Sequence, residues 1–490
     1  MLRYASRMRP ALPAAFAGGL CLVFTASACG TRPVQIIGPV PDGAAPPPPC
    51  PAKLADRLSV VEVPVEADIA WQKQGYDLFP ADERVALAVQ PDGQAQIAWM
   101  EVNHDTAGGP PLGVHVTLLD ANLARRAGTS DVPMPTGQEV AGLVAHNDGF
   151  ALLTRDANDG TPLALDDADT LAYLVRYKNG SEAWKMDLTG SLSSDAAETH
   201  TLYSPFLEGQ LVWNGETYGA YFAVRGGKGD PQPGLWRDML AFRGPIGEVQ
   251  WPPTNGCANN GGIRLIPDLG KTNLSSSLSV SYPEITGLCI QELPPAVKFT
   301  ARDADQLVSD QELGWSGYSG ARFGSVLKIA DGYLVFWTSL GPTNNHQGHD
   351  IRMARLDQSF NLISGPTWVL QTPGTEEWNL HVAPYGSAGD RFLMMYGEIA
   401  ITGVTDSDDA VYVGNFVGTH LALIDVNGTI LANEIVQGAP TTTNGEPVLL
   451  GNYDVAWAFV NPTPDYTQII YGPNGPGQRT LRMARVRYCQ

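Results

Sequence analysis

Apolar and polar residues alternate over short stretches that end in Asp-Gly, Asn-Gly or other Gly-rich turns. This is the two-residue period of half-buried strands, and few segments show the 3.6-residue period of a helix. The pattern comes in groups. Residues 85–102 read VALAVQPDGQAQIAWMEV and are followed by GVHVTLLD; a second group opens at Val140 and a third near Gly209. A poorly patterned fourth group spans about 261–307 and carries a Ser-rich loop. The fifth reads VLKIADGYLVFWTS, the sixth LHVAPYGSAGDRFLMMYGEI and the seventh PVLLGNYDVAWAFV.

Two sequence echoes mark these groups as repeats. DIRMARLD at 350–357 returns as LRMARVRY at 481–488, and GVHVTLLD at 113–120 returns as GTHLALID at 418–425. The seventh group lacks a fourth strand, and LSVVEVP at 58–64 stands before the first group with no partner of its own. In a circular array the N-terminal strand completes the last unit and removes exposed sheet edges. The DG-Y-L-V-F-W pattern of these units resembles that of bacterial secreted and lipoprotein-type β-propellers. The resemblance covers about Leu58 to Tyr488 and concerns fold alone. It implies an all-β chain, a β-propeller of seven four-stranded blades in which the N-terminal strand completes the last blade.

Composition agrees: 53 Gly, 38 Pro and only 17% charged residues suit many strands joined by turns. The first 28 residues carry Arg3, Arg7 and Arg9, an apolar run from Ala11 to Phe24, and Ala26-Ser27-Ala28 before Cys29. This reads as a secretory leader of lipoprotein type, with Cys29 as the lipidated mature N-terminus; Ala26-Ser27-Ala28 also serves as an ordinary A-x-A cleavage site. Residues 29–52 are a Pro-rich tether that favours extended polyproline conformation, and 53–490 form the propeller domain. The expected location is the outer membrane or cell surface, or the periplasm or medium if the lipid is absent. The formal charge of −20 argues against nucleic acid as a partner. The expected state is a monomer held to the membrane by its lipid, with polysaccharide or an envelope protein as further partner.

Apart from Cys21 in the leader and Cys29, four cysteines remain in an oxidising compartment, with three possible pairings. The favoured one joins Cys257 with Cys289 and Cys50 with Cys489, the second pair closing the two chain ends.

Chemistry is less legible. His115 and His420 occupy the same place in a repeated strand and read as repeat echoes. His346, His349 and Asp350 in NNHQGHD bring two imidazoles and a carboxylate within five residues and could converge on a metal ion. Asp166, Asp167 and Asp169, with Asp406, Asp408 and Asp409, offer oxygen ligands of the kind Ca²⁺ takes, without EF-hand spacing. The densest aromatic and ionisable stretch runs from Glu198 to Arg225, where His200, Tyr203, Tyr218 and Arg225 could supply base, acid and anion contact to a sugar. The sequence has no G-x-S-x-G, H-E-x-x-H, P-loop or dinucleotide fingerprint. The expectation is therefore a non-catalytic ligand-binding or scaffolding protein of the cell envelope. The alternative is a carbohydrate-active enzyme, a polysaccharide lyase or glycoside hydrolase with its site near the third blade.

Overall fold

The computed structural model describes residues 50–69, 85–101, 113–134, 139–157, 170–187, 209–213, 218–225, 236–243, 249–250, 264–267, 274–280, 288–292, 300–304, 322–340, 348–358, 361–406, 411–442, 445–467 and 478–489. Between 221 and 304 it describes backbone pairing alone.

The chain is all-β, with one short 3-10 turn at Ala55–Arg57. Five four-stranded antiparallel sheets follow one another at 139–187, 209–250, 264–304, 322–370 and 375–436, each with its strands in chain order. An eight-stranded sheet takes in the remainder. It consists of two four-stranded groups, one at 86–133 and one made of 448–486 with Leu58–Ile69, joined only through the pair Ile69 and Glu101. The N-terminal strand thus lies beside the C-terminal one, in register from Leu58 opposite Val486 to Pro64 opposite Thr480. A disulfide between Cys50 and Cys489 closes the same seam, as expected for the chain ends.

The apolar residues of each strand have two places to go, because alternate side chains leave opposite faces of the sheet. Both faces of the central strands are used. Ala98, Met100, Val114 and Val116 pack against Val140, Phe150, Leu152 and Val175 of the next group. Leu334, Phe336, Ile351 and Met353 pack in the same way against Leu380, Val382, Phe392 and Met394. Among the described side chains the core is therefore a series of layers between successive groups, and each large side chain buried there contributes about 1.5–3 kcal/mol. The first strands of the groups touch in chain order, and Val448–Leu449 also touches Ala86–Val89.

The repeats have a local cause. Asp120, Asp357 and Asp425 each end a third strand and accept a main-chain N–H four residues on, from Ala124, Asn361 and Thr429. One carboxylate fixes the same hairpin turn in three groups.

Candidate functional site

The strand Thr375–Pro384 opens Thr-Glu-Glu-Trp, and alternation sends its two consecutive carboxylates to opposite faces. Both are buried, Glu376 at 0% and Glu377 at 1% exposure. Glu376 meets His349, the first residue of the strand His349–Asp357. It accepts the His349 main-chain N–H at 2.8 Å and the Nδ1–H at 2.8 Å. A carboxylate that takes both groups fixes the ring and its tautomer. His349 is fully buried, and its Nε2 makes no hydrogen bond among the described residues.

Glu377 faces the other way. The Thr375 hydroxyl donates to its Oε1 at 3.1 Å, and Oε2 makes no hydrogen bond among the described residues. Across the strand pair, Glu377 is in direct register with Glu398 of Arg391–Asp406. Burial pushes the Glu377 carboxyl up to about 9; Asp350, Glu376 and Glu398 add to this, and the Thr375 hydroxyl opposes it. Glu377 is thus a neutral acid at pH 7, while Glu398, with its side chain 20% exposed, lies 2.5 Å from His420 Nε2. Tyr396 stacks on the His420 ring at 4.6 Å, and burial raises its phenol.

The His420 arrangement has a twin. In the first group His115 Nε2 lies 2.8 Å from Glu101, and Trp99 stacks on its ring at 4.5 Å. Trp99 is opposite His115 and Glu101 opposite Gly113, as Tyr396 is opposite His420 and Glu398 opposite Gly418. In the fifth group Arg352 takes the histidine's place, opposite Trp337, and lies over Trp337 and Trp368 at 5.7 and 4.5 Å. The aromatic and its cationic or imidazole neighbour belong to the repeat. The carboxyl pair of Glu377 and Glu398 belongs to the sixth group.

A bulge between Trp378 and His381, with Asn379 at φ 51°, re-aims the strand beyond the two glutamates. Asn379 Nδ2–H donates to Thr441 O at 3.0 Å and His381 Nε2–H to Thr442 O at 2.6 Å, which ties this strand to the segment leading into the next group.

A second polar cluster lies between the second and third groups. The Tyr218 hydroxyl donates to His146 Nε2 at 2.5 Å, with Trp213 and Trp184 packed on Tyr218. Arg176 donates to Asp148 beside them. Burial first, then Arg176, lowers His146 to about 4, with Asp148 opposing. Burial raises Tyr218 to about 12, with Arg176 opposing.

Of the residues singled out in the sequence, Tyr218 is placed with His146 and Arg176. His200, Tyr203, Cys29, Cys257 and His346 lie outside the described residues, as do Asp166, Asp167, Asp169, Asp408 and Asp409 and the side chains of Arg225, Cys289 and Asp406. His349 and Asp350 open a strand, so their side chains leave opposite faces. His349 binds Glu376, and Asp350 Oδ1 accepts the Thr372 N–H at 2.8 Å. Among the described residues no group of three or more His, Cys, Asp or Glu is placed to hold a metal ion. Sequence reasoning missed Glu376, Glu377 and Glu398. The usable signal was the tandem Glu-Glu at the head of an otherwise core-facing strand, where at least one carboxylate had to be buried.

No protein-family model matches the chain. No curated protein matches it either. Among solved structures it is similar to a protein of unknown function from Dyadobacter fermentans, at 12% identity and a TM-score of 0.42, covering 88% of this chain and 99% of that one. It is also similar to a GH43 endo-arabinanase from Bacillus licheniformis, at 12% identity and a TM-score of 0.30, covering 59% and 96%. A subtype N11 neuraminidase-like protein of A/flat-faced bat/Peru/033/2010 (H18N11) is similar at 11% identity and a TM-score of 0.38, covering 70% and 89%. These are loose likenesses and assign neither fold nor activity.

Proposed function

We propose that this chain is a glycoside hydrolase built on a seven-bladed β-propeller, exported and held to the cell envelope by lipid on Cys29. The Leu58–Ile69 strand completes the last blade, and the contact of Val448–Leu449 with Ala86–Val89 supports ring closure.

The observation that carries the activity is the cross-strand pair of a neutral Glu377 and a more exposed Glu398. One buried, neutral carboxyl beside a second, more exposed one supplies the acid and the nucleophile of glycosidic bond cleavage. Glu377 gives its proton to the leaving glycosidic oxygen as the C–O bond breaks, and the Glu398 carboxylate attacks the anomeric carbon. Water then releases the sugar from Glu398, with Glu377 taking the proton back. Direct cross-strand neighbours have Cβ atoms about 4.5–5.5 Å apart. With Glu398 as the nucleophile, the configuration at the anomeric carbon is retained. The net charge of −20 favours a neutral polysaccharide over an acidic one.

The test is incubation of the purified protein with a panel of neutral polysaccharides, followed by a reducing-end assay, beside E377Q and E398Q. Product from the wild type and its loss in both variants, with Tm kept, supports the reading. Silence of the wild type on every substrate returns the chain to a non-catalytic envelope scaffold, its partner then a protein.

A further inference from the structure

His420 is held at both ring nitrogens. Nε2 lies 2.5 Å from Glu398 Oε2, and Nδ1 lies 2.9 Å from Asn433 Oδ1. The Asn433 amide nitrogen in turn donates to the Tyr396 hydroxyl at 3.4 Å, which leaves its carbonyl oxygen as the end that faces His420. A carbonyl oxygen only accepts, so Nδ1 must carry a proton. One further proton then lies on the line between Nε2 and Oε2, whichever atom owns it, because a bare nitrogen would repel a carboxylate at that distance.

The twin shows that this is not simply the repeat. His115 bonds to Glu101 in the same way, but the place matching Asn433 is held by Asp131. That carboxylate is taken by the Thr117 hydroxyl, the Glu66 main-chain N–H and Arg125. Of these two groups, the outer strand reaches the imidazole in the sixth and not in the first, and the sixth is also where Glu377 stands opposite the carboxylate. The groups facing His420 are Tyr396 and Glu398 of Arg391–Asp406, Glu377 beyond Glu398 on Thr375–Pro384, and Asn433 of Ile430–Val436. Glu434, next to Asn433, is turned to the Ala55 main-chain N–H.

We propose that Asn433 and His420 are positioning residues for Glu398. Asn433 fixes the proton on Nδ1, His420 Nε2 then holds Glu398 Oε2, and Oε1 is left turned to the substrate as the attacking oxygen. This rests on the reading of Glu398 as the site's nucleophile. Neither residue touches substrate; the effect is on the orientation and charge of one carboxylate. No proton is gained or lost overall, since the Nε2–Oε2 proton stays on its line while Oε1 forms the bond to carbon.

Two measurements separate the inference from the reading beneath it. The first needs no substrate: ¹⁵N NMR of the imidazole rings in the full chain, with His420 assigned through H420Q. In the wild type Nδ1 of His420 carries a proton, and N433L, which takes away that proton's acceptor, shifts the Nδ1 signal while His115 is unchanged. An unprotonated Nδ1, or no change in N433L, overturns the proposal whether or not the protein hydrolyses anything. The second is kinetic: N433L loses about tenfold in kcat/KM on the acid side of the pH profile, with Tm kept, the size usual for losing a group that orients a site residue. A profile unmoved in N433L, with the wild type active, overturns the positioning role. An inactive wild type with the NMR result intact supports the proton arrangement and removes the hydrolase.

Discussion

Glu377 stands directly opposite Glu398 across a strand pair, yet the two side chains lie in different environments. Glu377 is 1% exposed and has its carboxyl pushed up to about 9, while Glu398 reaches solvent and leans on His420. Placement in one sheet separates them, because Glu377 is on the first strand of its group and Glu398 on the second.

This separation has a thermodynamic cost with a definite sign. Glu377 is neutral in the folded protein up to about 9 but ionises near 4.5 when unfolded. The folded state therefore binds more protons between those values, and stability falls as pH rises through that window. E377Q removes the dependence. Calorimetry is expected to show E377Q melting above the wild type at pH 8, with the gap closing toward pH 5. Parallel melting curves at all pH values would show that the carboxyl is ionised in the fold.

His146 carries the opposite dependence. Its folded value is lowered from 6.5 to about 4, so the unfolded chain binds the extra proton in that window. Stability is lost as pH falls through it and levels off below. H146Q keeps an acceptor for the Tyr218 hydroxyl and has no proton to bind. Its Tm is expected to fall less than that of the wild type between pH 6.5 and 4, and an equal fall in both proteins contradicts the assignment.

The disulfide from Cys50 to Cys489 spans 439 positions and sits at the end of the seam between Leu58–Ile69 and Gln478–Val486. Its removal in C50S/C489S is expected to cost about 2–5 kcal/mol. Hydrogen exchange should rise first in those two strands and not in 375–436. Uniform acceleration over all groups would mean the seam is not the weak point that the bond protects.

Gly348 precedes His349 with φ +114°, and a Cβ there would collide with the Thr375 carbonyl oxygen. Gly348→Ala forces the head of one strand away from the next and pulls His349 from Glu376. Loss of the buried pair with a strained backbone is expected to cost about 2–4 kcal/mol. A Tm equal to that of the wild type would show that this contact is slack.

The grouping of strands was legible because it rests on alternation and on exact echoes such as GVHVTLLD and GTHLALID, and the pairing of Cys50 with Cys489 followed from the seam those groups implied. The candidate site was not. Sequence attention went to the aromatic run around Tyr218, whose neighbours in space, His146 and Arg176, come from another group more than 40 residues earlier. Glu377 and Glu398 are 21 positions apart and become neighbours only when the strand register is known. The GxH echo pointed at His420 correctly as part of the repeat. What distinguishes it, Asn433 on the outer strand and Glu377 on the inner one, is cross-strand information that no single stretch contains.

The most direct test of the two-carboxyl account is the rate of E377Q on two substrates that differ only in leaving group. A polysaccharide needs a proton on the departing oxygen, whereas an aryl glycoside with an acidic phenol leaves without one. The account predicts that E377Q loses hydrolysis of the polysaccharide by about 10²-fold or more while keeping most of its rate on the activated aryl glycoside, and that E398Q loses both. Equal loss on the two substrates in E377Q, or full activity of E398Q, contradicts it.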